Sequence, residues 1–130
     1  MSARRRVAAA MADRLAPGEK VLAGGFAWIA RPRPKVPLWL LARRPHFLGL
    51  TDRRVLVWAK PRKRTPLAEQ HLVLDAPYAD VSLDGVRTLT PMLQVRFSHT
   101  GDDLVAEVRP RDRRFGHRLA EQLRAAAAPA

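Results

Sequence analysis

From Lys20 to Arg109 the apolar residues fall in short runs with every-second-residue alternation, each bounded by glycine, proline or small polar residues; after Asp112 they recur at three and four. Alternation at two is the pattern of a strand with one buried face, and spacing near 3.6 is that of a helix with one apolar stripe. The order predicts an antiparallel sheet followed by a single C-terminal helix, because short apolar runs bounded by turn residues are the signature of antiparallel strands.

The first run, VLAGGFAWIA from Val21 to Ala30, is predicted to be a strand in which Gly24-Gly25 marks a bulge or bend. PHFLGL and RVLVWAK are separated by Thr51-Asp52-Arg53, a polar stretch short enough for a tight hairpin. Pro61 to Pro66, PRKRTP, holds two prolines and reads as a loop. Strands are then expected over Glu69 to Leu74 and Asp80 to Val86, joined through Ala76-Pro77-Tyr78. In MLQVRFS, Leu93, Val95 and Phe97 point inward and Gln94 and Arg96 outward, and LVAEVR follows a turn over His99 to Asp103. In DRRFGHRLAEQLRAAAA, Phe115, Leu119, Leu123 and Ala126 form one helical stripe, which the sheet must receive.

Upstream, ARRRVAAAMADRL has alanine-rich helical propensity, and Pro17-Gly18 stops the pattern. The expected organisation is a basic N-terminal helix within residues 1–17, loosely tied to the rest, and a sheet domain over 18–127. A chain of 130 residues suits one domain with one core. There is no cysteine, which excludes disulfides and thiolate metal sites and fits a reducing cytoplasm. His46, His71, His99 and His117 are too dispersed to suggest zinc, and no cofactor is called for. The uncharged apolar run Val36 to Ala42 has seven residues and Val21 to Ala30, glycines included, has ten, whereas a membrane-crossing helix needs about 20. The N-terminus has a charged start, but its apolar stretch ends at Asp13, short of a secretory core of at least about 7.

The net charge of +12 is unevenly spread: +3 over residues 1–30, +10 over 31–64 and −1 over 65–130. Twenty of the 24 basic residues are arginine, for which codon bias is the bland explanation, but bias does not explain the clustering. If the first four strands form a meander, the loops after the first and third leave the sheet at one end. The former carries Arg31, Arg33, Lys35, Arg43 and Arg44, and the latter Lys60, Arg62, Lys63 and Arg64, with no acid in either. Between the first set of cations lie Leu38, Trp39, Leu40 and Leu41, an apolar tip with positive shoulders.

The opening LAPGEKVLA and the hairpin LGLTDRRVLVW, with this order of strands and helix, resemble the bacterial pleckstrin-homology-like domains, in which a PGE-x-V start and an LT-D/N-x-R hairpin recur. The resemblance spans roughly residues 15–126. It implies a bent seven-stranded antiparallel sheet, a partly open barrel capped by the C-terminal helix. In the hairpin it implies Thr51 and Asp52 bonding turn amides while Arg53 or Arg54 lies over the sheet edge. It implies no catalysis. In the wider superfamily the open rim is where phosphoinositide head groups bind, so an anionic lipid surface is the natural partner. The usual basic signature, a lysine late in the first strand and Arg-x-Arg in the second, is missing from PHFLGL, which favours general anion attraction over a stereospecific inositide pocket.

The function expected on these grounds is a non-enzymatic binding module, cytoplasmic and peripheral at the inner face of the plasma membrane, attached by the nine loop cations and the Leu38–Leu41 tip. The alternative is a protein-interaction or homo-oligomerisation module that uses the same apolar loop. Nucleic-acid binding is the lesser possibility, since high charge attracts phosphate but no helix-turn-helix, zinc finger or aromatic stacking array is present. An enzyme is disfavoured: Ser98 and His99 are adjacent on a strand and point to opposite faces, and Asp102-Asp103 belong to a turn.

Overall fold

The computed structural model describes residues 2–31, 43–89 and 91–127. Its elements are α1 (Ala3–Met11), β1 (Val21–Ala30), β2 (Arg44–Thr51), β3 (Arg54–Ala59), β4 (Leu72–Pro77), β5 (Val81–Leu89), β6 (Met92–His99), β7 (Asp102–Val108) and α2 (Arg113–Ala127). The strands make one seven-stranded antiparallel sheet in the order β4-β3-β2-β1-β7-β6-β5. The expected mainly-β architecture with a C-terminal helix and a short N-terminal helix is therefore what forms. The sheet is not closed into a barrel; β4 and β5 are its two edges.

Two apolar clusters, rather than one core, lie on opposite faces of the sheet. The larger gathers Phe115, Leu119 and Leu123 of α2 into one cluster with Ile29, Leu48, Val57 and Phe97. The second gathers Val7 and Met11 of α1 against Phe26, Phe47, Leu56, Trp58 and Leu67. β3 shows why both exist: Val55 and Val57 join the first cluster while Leu56 and Trp58 join the second. A strand buried on both faces reads as a continuous apolar run, and RVLVWA is one.

The N-terminal helix is consequently not loosely tied. Val7 and Met11, four residues apart on one helix face, are both fully buried. Each such burial contributes about 1.5–3 kcal/mol. The glycines explain how close the helix comes. Gly24 of β1 pairs with Gly49 of β2; a Cβ on Gly49 would lie 2.6 Å from Met11 Sδ and 2.7 Å from Val7 Cγ1, and one on Gly24 2.9 Å from Val7 Cβ. On the other face a Cβ on Gly25 would lie 2.3 Å from Phe115 Cγ. Gly24-Gly25 is thus a place of close approach for both helices, and the register shift in β1 falls earlier, between Val21 and Ala23.

Three smaller boundaries also move. Glu69–His71 is a 3-10 turn, and β4 runs on through Ala76 and Pro77, so the connection to β5 is the 3-10 turn Tyr78–Asp80. Asp102 and Asp103 start β7, paired with His99 and Ser98, which leaves a two-residue turn with positive φ at Thr100 (49°) and Gly101 (86°). Gln94, expected to point outward, is on the face opposite Leu93 and Val95 but is only 2 % exposed, and its Nε2 has no hydrogen-bond partner.

Candidate anion-binding groove

The hairpin joining β2 to β3 is fixed by its own side chains. Thr51 Oγ1 accepts from the amides of Arg53 (3.0 Å) and Arg54 (2.9 Å) and donates to Glu19 Oε2 (2.7 Å). Asp52 Oδ1 accepts from the Lys20 amide at 3.0 Å. Arg54 lies over the sheet edge with Nε and Nη2 donating to the two Glu19 oxygens, each at 3.0 Å, and Nη1 donating to Asp75 Oδ2 at 2.9 Å. Arg14 Nη2 reaches the same Asp75 oxygen at 2.9 Å, Arg14 Nη1 bonds Glu69, and Arg54 Nη2 also donates to the Arg14 carbonyl. The clasp ties the chain just after α1 to the hairpin and to β4.

Burial pushes the Glu19 carboxyl up, but hydrogen bonds from Arg54, Thr51 and the Ala16 amide outweigh it and bring the group to about 2. Hydrogen bonding to Glu19 holds Arg54 above its ordinary range, and hydrogen bonding to Asp75 and Glu69 does the same for Arg14. Burial pushes the Tyr78 phenol up, and its hydroxyl donates to the Thr51 carbonyl at 2.6 Å. Each charge in the clasp has an opposite partner, which makes the clasp structural, although Arg14 Nε is buried without a hydrogen bond of its own.

The register places the free cations elsewhere. Ile29 pairs with Arg44 and His46 with Ala59, and the Lys60 amide donates to the Pro45 carbonyl at 3.0 Å. The end of β1, the start of β2 and the end of β3 therefore share one rim. Arg31, Arg44, Lys60, Arg62, Lys63 and Arg64 are exposed there. Arg43 is different: its Nη1 bonds Glu107 Oε1 at 2.7 Å and its guanidinium lies 5.2 Å from the Trp28 ring centre, so its charge already has a partner. Burial pushes the imidazole of His46 down, keeping it neutral on the rim. Arg33, Lys35, Leu38, Trp39, Leu40 and Leu41 lie outside the described residues.

The loop between β3 and β4 does not stand alone. It faces α1 across a groove of about 680 Å³ whose basic wall is Arg6, Lys60, Arg62, Lys63 and Arg64. The rest of the lining is Thr65 and the apolar residues Ala9, Ala10, Phe47, Pro61, Pro66 and Leu67; no acid lines it. Arg6 bridges the groove, donating from Nη2 to the Thr65 carbonyl at 2.7 Å and lying 4.6 Å over the Phe47 ring. A carbonyl and an aromatic face orient a guanidinium without cancelling its charge.

Phe47 is one end of an aromatic row on this face. Phe26 packs edge-on to both Phe47 (5.8 Å) and Trp28 (5.6 Å), with Arg109 and Lys60 over the Phe26 ring at 4.6 and 5.8 Å. Arg6 is the groove residue that loop reasoning does not reach. Its signal is the four-residue spacing of Val7 and Met11, which turns that face of α1 onto the sheet and carries Arg6 to the loop. Comparison with protein-family models and with curated proteins gives no match to this chain.

Proposed function

We propose that the chain is a non-catalytic binding module of pleckstrin-homology-like type that attaches peripherally to anionic membrane surfaces through its basic rim. The observation that carries this reading is the groove wall, five cations from two separate elements with no acid among them. The strand order, with a C-terminal helix against one face, supports the architecture. Among the described residues no helix is long and apolar enough to cross a membrane, so attachment would be to the surface.

Each basic residue near an anionic bilayer is worth about 1 kcal/mol, so five give a reversible attachment that salt weakens. Leu38, Trp39, Leu40 and Leu41 supply the second, apolar signal that lasting attachment needs. Cosedimentation with vesicles is the test: binding should require anionic lipid, fall with salt, and drop when Arg62, Lys63 and Arg64 become glutamine or when Trp39→Ala and Leu40→Ala are combined. Equal recovery on neutral and anionic vesicles would defeat the reading.

A protein-interaction or oligomerisation role has one observation of its own. Val73, on the edge strand β4, is 59 % exposed, and an exposed apolar edge is a template for another strand. Light scattering at two concentrations separates the readings, since a monomer at both would remove self-association.

A further inference from the structure

We propose that the groove between α1 and the β3–β4 loop is a discrete, one-to-one site for the phosphate head and first apolar carbons of a membrane lipid. This rests on the membrane-attachment reading and adds a bound single molecule to it. A flat basic rim would explain attraction to a charged surface and nothing more. The groove is a concavity of about 680 Å³, inside the range of roughly 300–1,000 Å³ typical of small-molecule sites.

Its lining is divided by chemistry. Lys60, Arg62, Lys63 and Arg64 follow one another in the loop, and Arg6 closes the opposite wall from α1. Guanidinium groups present paired N–H donors that match phosphate oxygens, and several cations around one concavity suit a doubly charged phosphate monoester. Ala9, Ala10 and Leu67 line the same groove and give no polar group to a ligand. A bare inorganic anion would leave that apolar part wet, whereas an alkyl chain beside the phosphate covers it. Arg6 is already oriented by Thr65 and Phe47, so little side-chain freedom is lost when a head group arrives.

The site is tested on the full chain with dihexanoyl phosphatidic acid kept monomeric, titrated by calorimetry at about 150 mM salt. Inorganic phosphate and dihexanoyl phosphatidylcholine serve as head-only and uncharged-head probes. The expected result is one phosphatidic acid per chain, bound at least about tenfold tighter than either control. Ala9→Glu, which puts a carboxylate in the groove on an exposed helix position, should lose at least about fivefold, while Ala8→Glu, on the same helix but off the groove, should not. Circular dichroism confirms that both variants keep their fold. Equal losses from the two substitutions, or equal binding of phosphatidic acid and either control, overturn the site. Vesicle attachment without monomer binding overturns this inference alone; loss of both overturns the membrane reading as well.

Discussion

Arg54 and Glu19 meet through two parallel hydrogen bonds, Nε to Oε2 and Nη2 to Oε1, each at 3.0 Å, with the Glu19 side chain 1 % exposed. The pair joins residues 35 apart in sequence and connects the segment entering β1 to the hairpin between β2 and β3. Its planar fork geometry makes Arg54 hard to replace, since lysine offers one ammonium where two donors in a plane are needed.

Arg54→Ala is expected to cost about 3–5 kcal/mol, because it leaves Glu19 buried without its counter-charge. Urea unfolding followed by circular dichroism measures the loss. Combining Arg54→Met with Glu19→Met should recover most of it, and a double variant no better than the single one would show that the pair is not the origin of the cost.

The Glu19 carboxyl titrates at about 2 in the folded chain against an ordinary 4.5. A group lowered by folding stabilises the fold fully above its unfolded value, and that contribution is lost as pH falls through the folded one. The chain should therefore weaken from about pH 4.5 down to about 2, by on the order of 3 kcal/mol from this group. Glu19→Gln should flatten the thermal midpoint over that window, and an unchanged slope would contradict the assignment.

Gly49→Ala should destabilise by about 1–3 kcal/mol and displace α1, since the new methyl meets Val7 and Met11. Adding Val7→Ala removes the Cγ1 contact and should restore part of the loss. Gly25→Ala should be worse, because its methyl would sit inside the Phe115 ring contact and a ring cannot shorten. Chemical denaturation ranks the three.

Met11→Ala should cost about 2–5 kcal/mol and redden the emission of Trp58, which is 1 % exposed under α1. Tryptophan fluorescence during unfolding checks both effects. Emission unchanged beside a large stability loss would place the damage outside this cluster.

The strands were legible because each is a short apolar or alternating run bounded by turn residues. VLAGGFAWIA is β1 to the residue, and Phe115, Leu119 and Leu123 face the sheet as their spacing requires. The role of Gly24-Gly25 was not legible, because a glycine pair looks the same whether the chain bends or a helix presses on it. The clasp was hidden for a different reason: Glu19, Arg54 and Asp75 are polar residues far apart in sequence, and no local pattern announces their pairing. The β3–β4 loop was recognisable as basic, but its groove depends on Arg6 arriving from α1 by tertiary packing.

The two apolar faces of β3 belong to different clusters: Leu56 and Trp58 lie in the one that α1 joins, and Val55 and Val57 in the one that α2 joins. During synthesis α1 leaves the ribosome before β3, whereas α2 leaves after every strand. The cluster that takes Leu56 and Trp58 thus has its helix in hand from the moment RVLVWA appears, at the stage when exposed apolar strands are most prone to join other chains. The arginine-rich helix α1 would serve there as a built-in escort for the sheet.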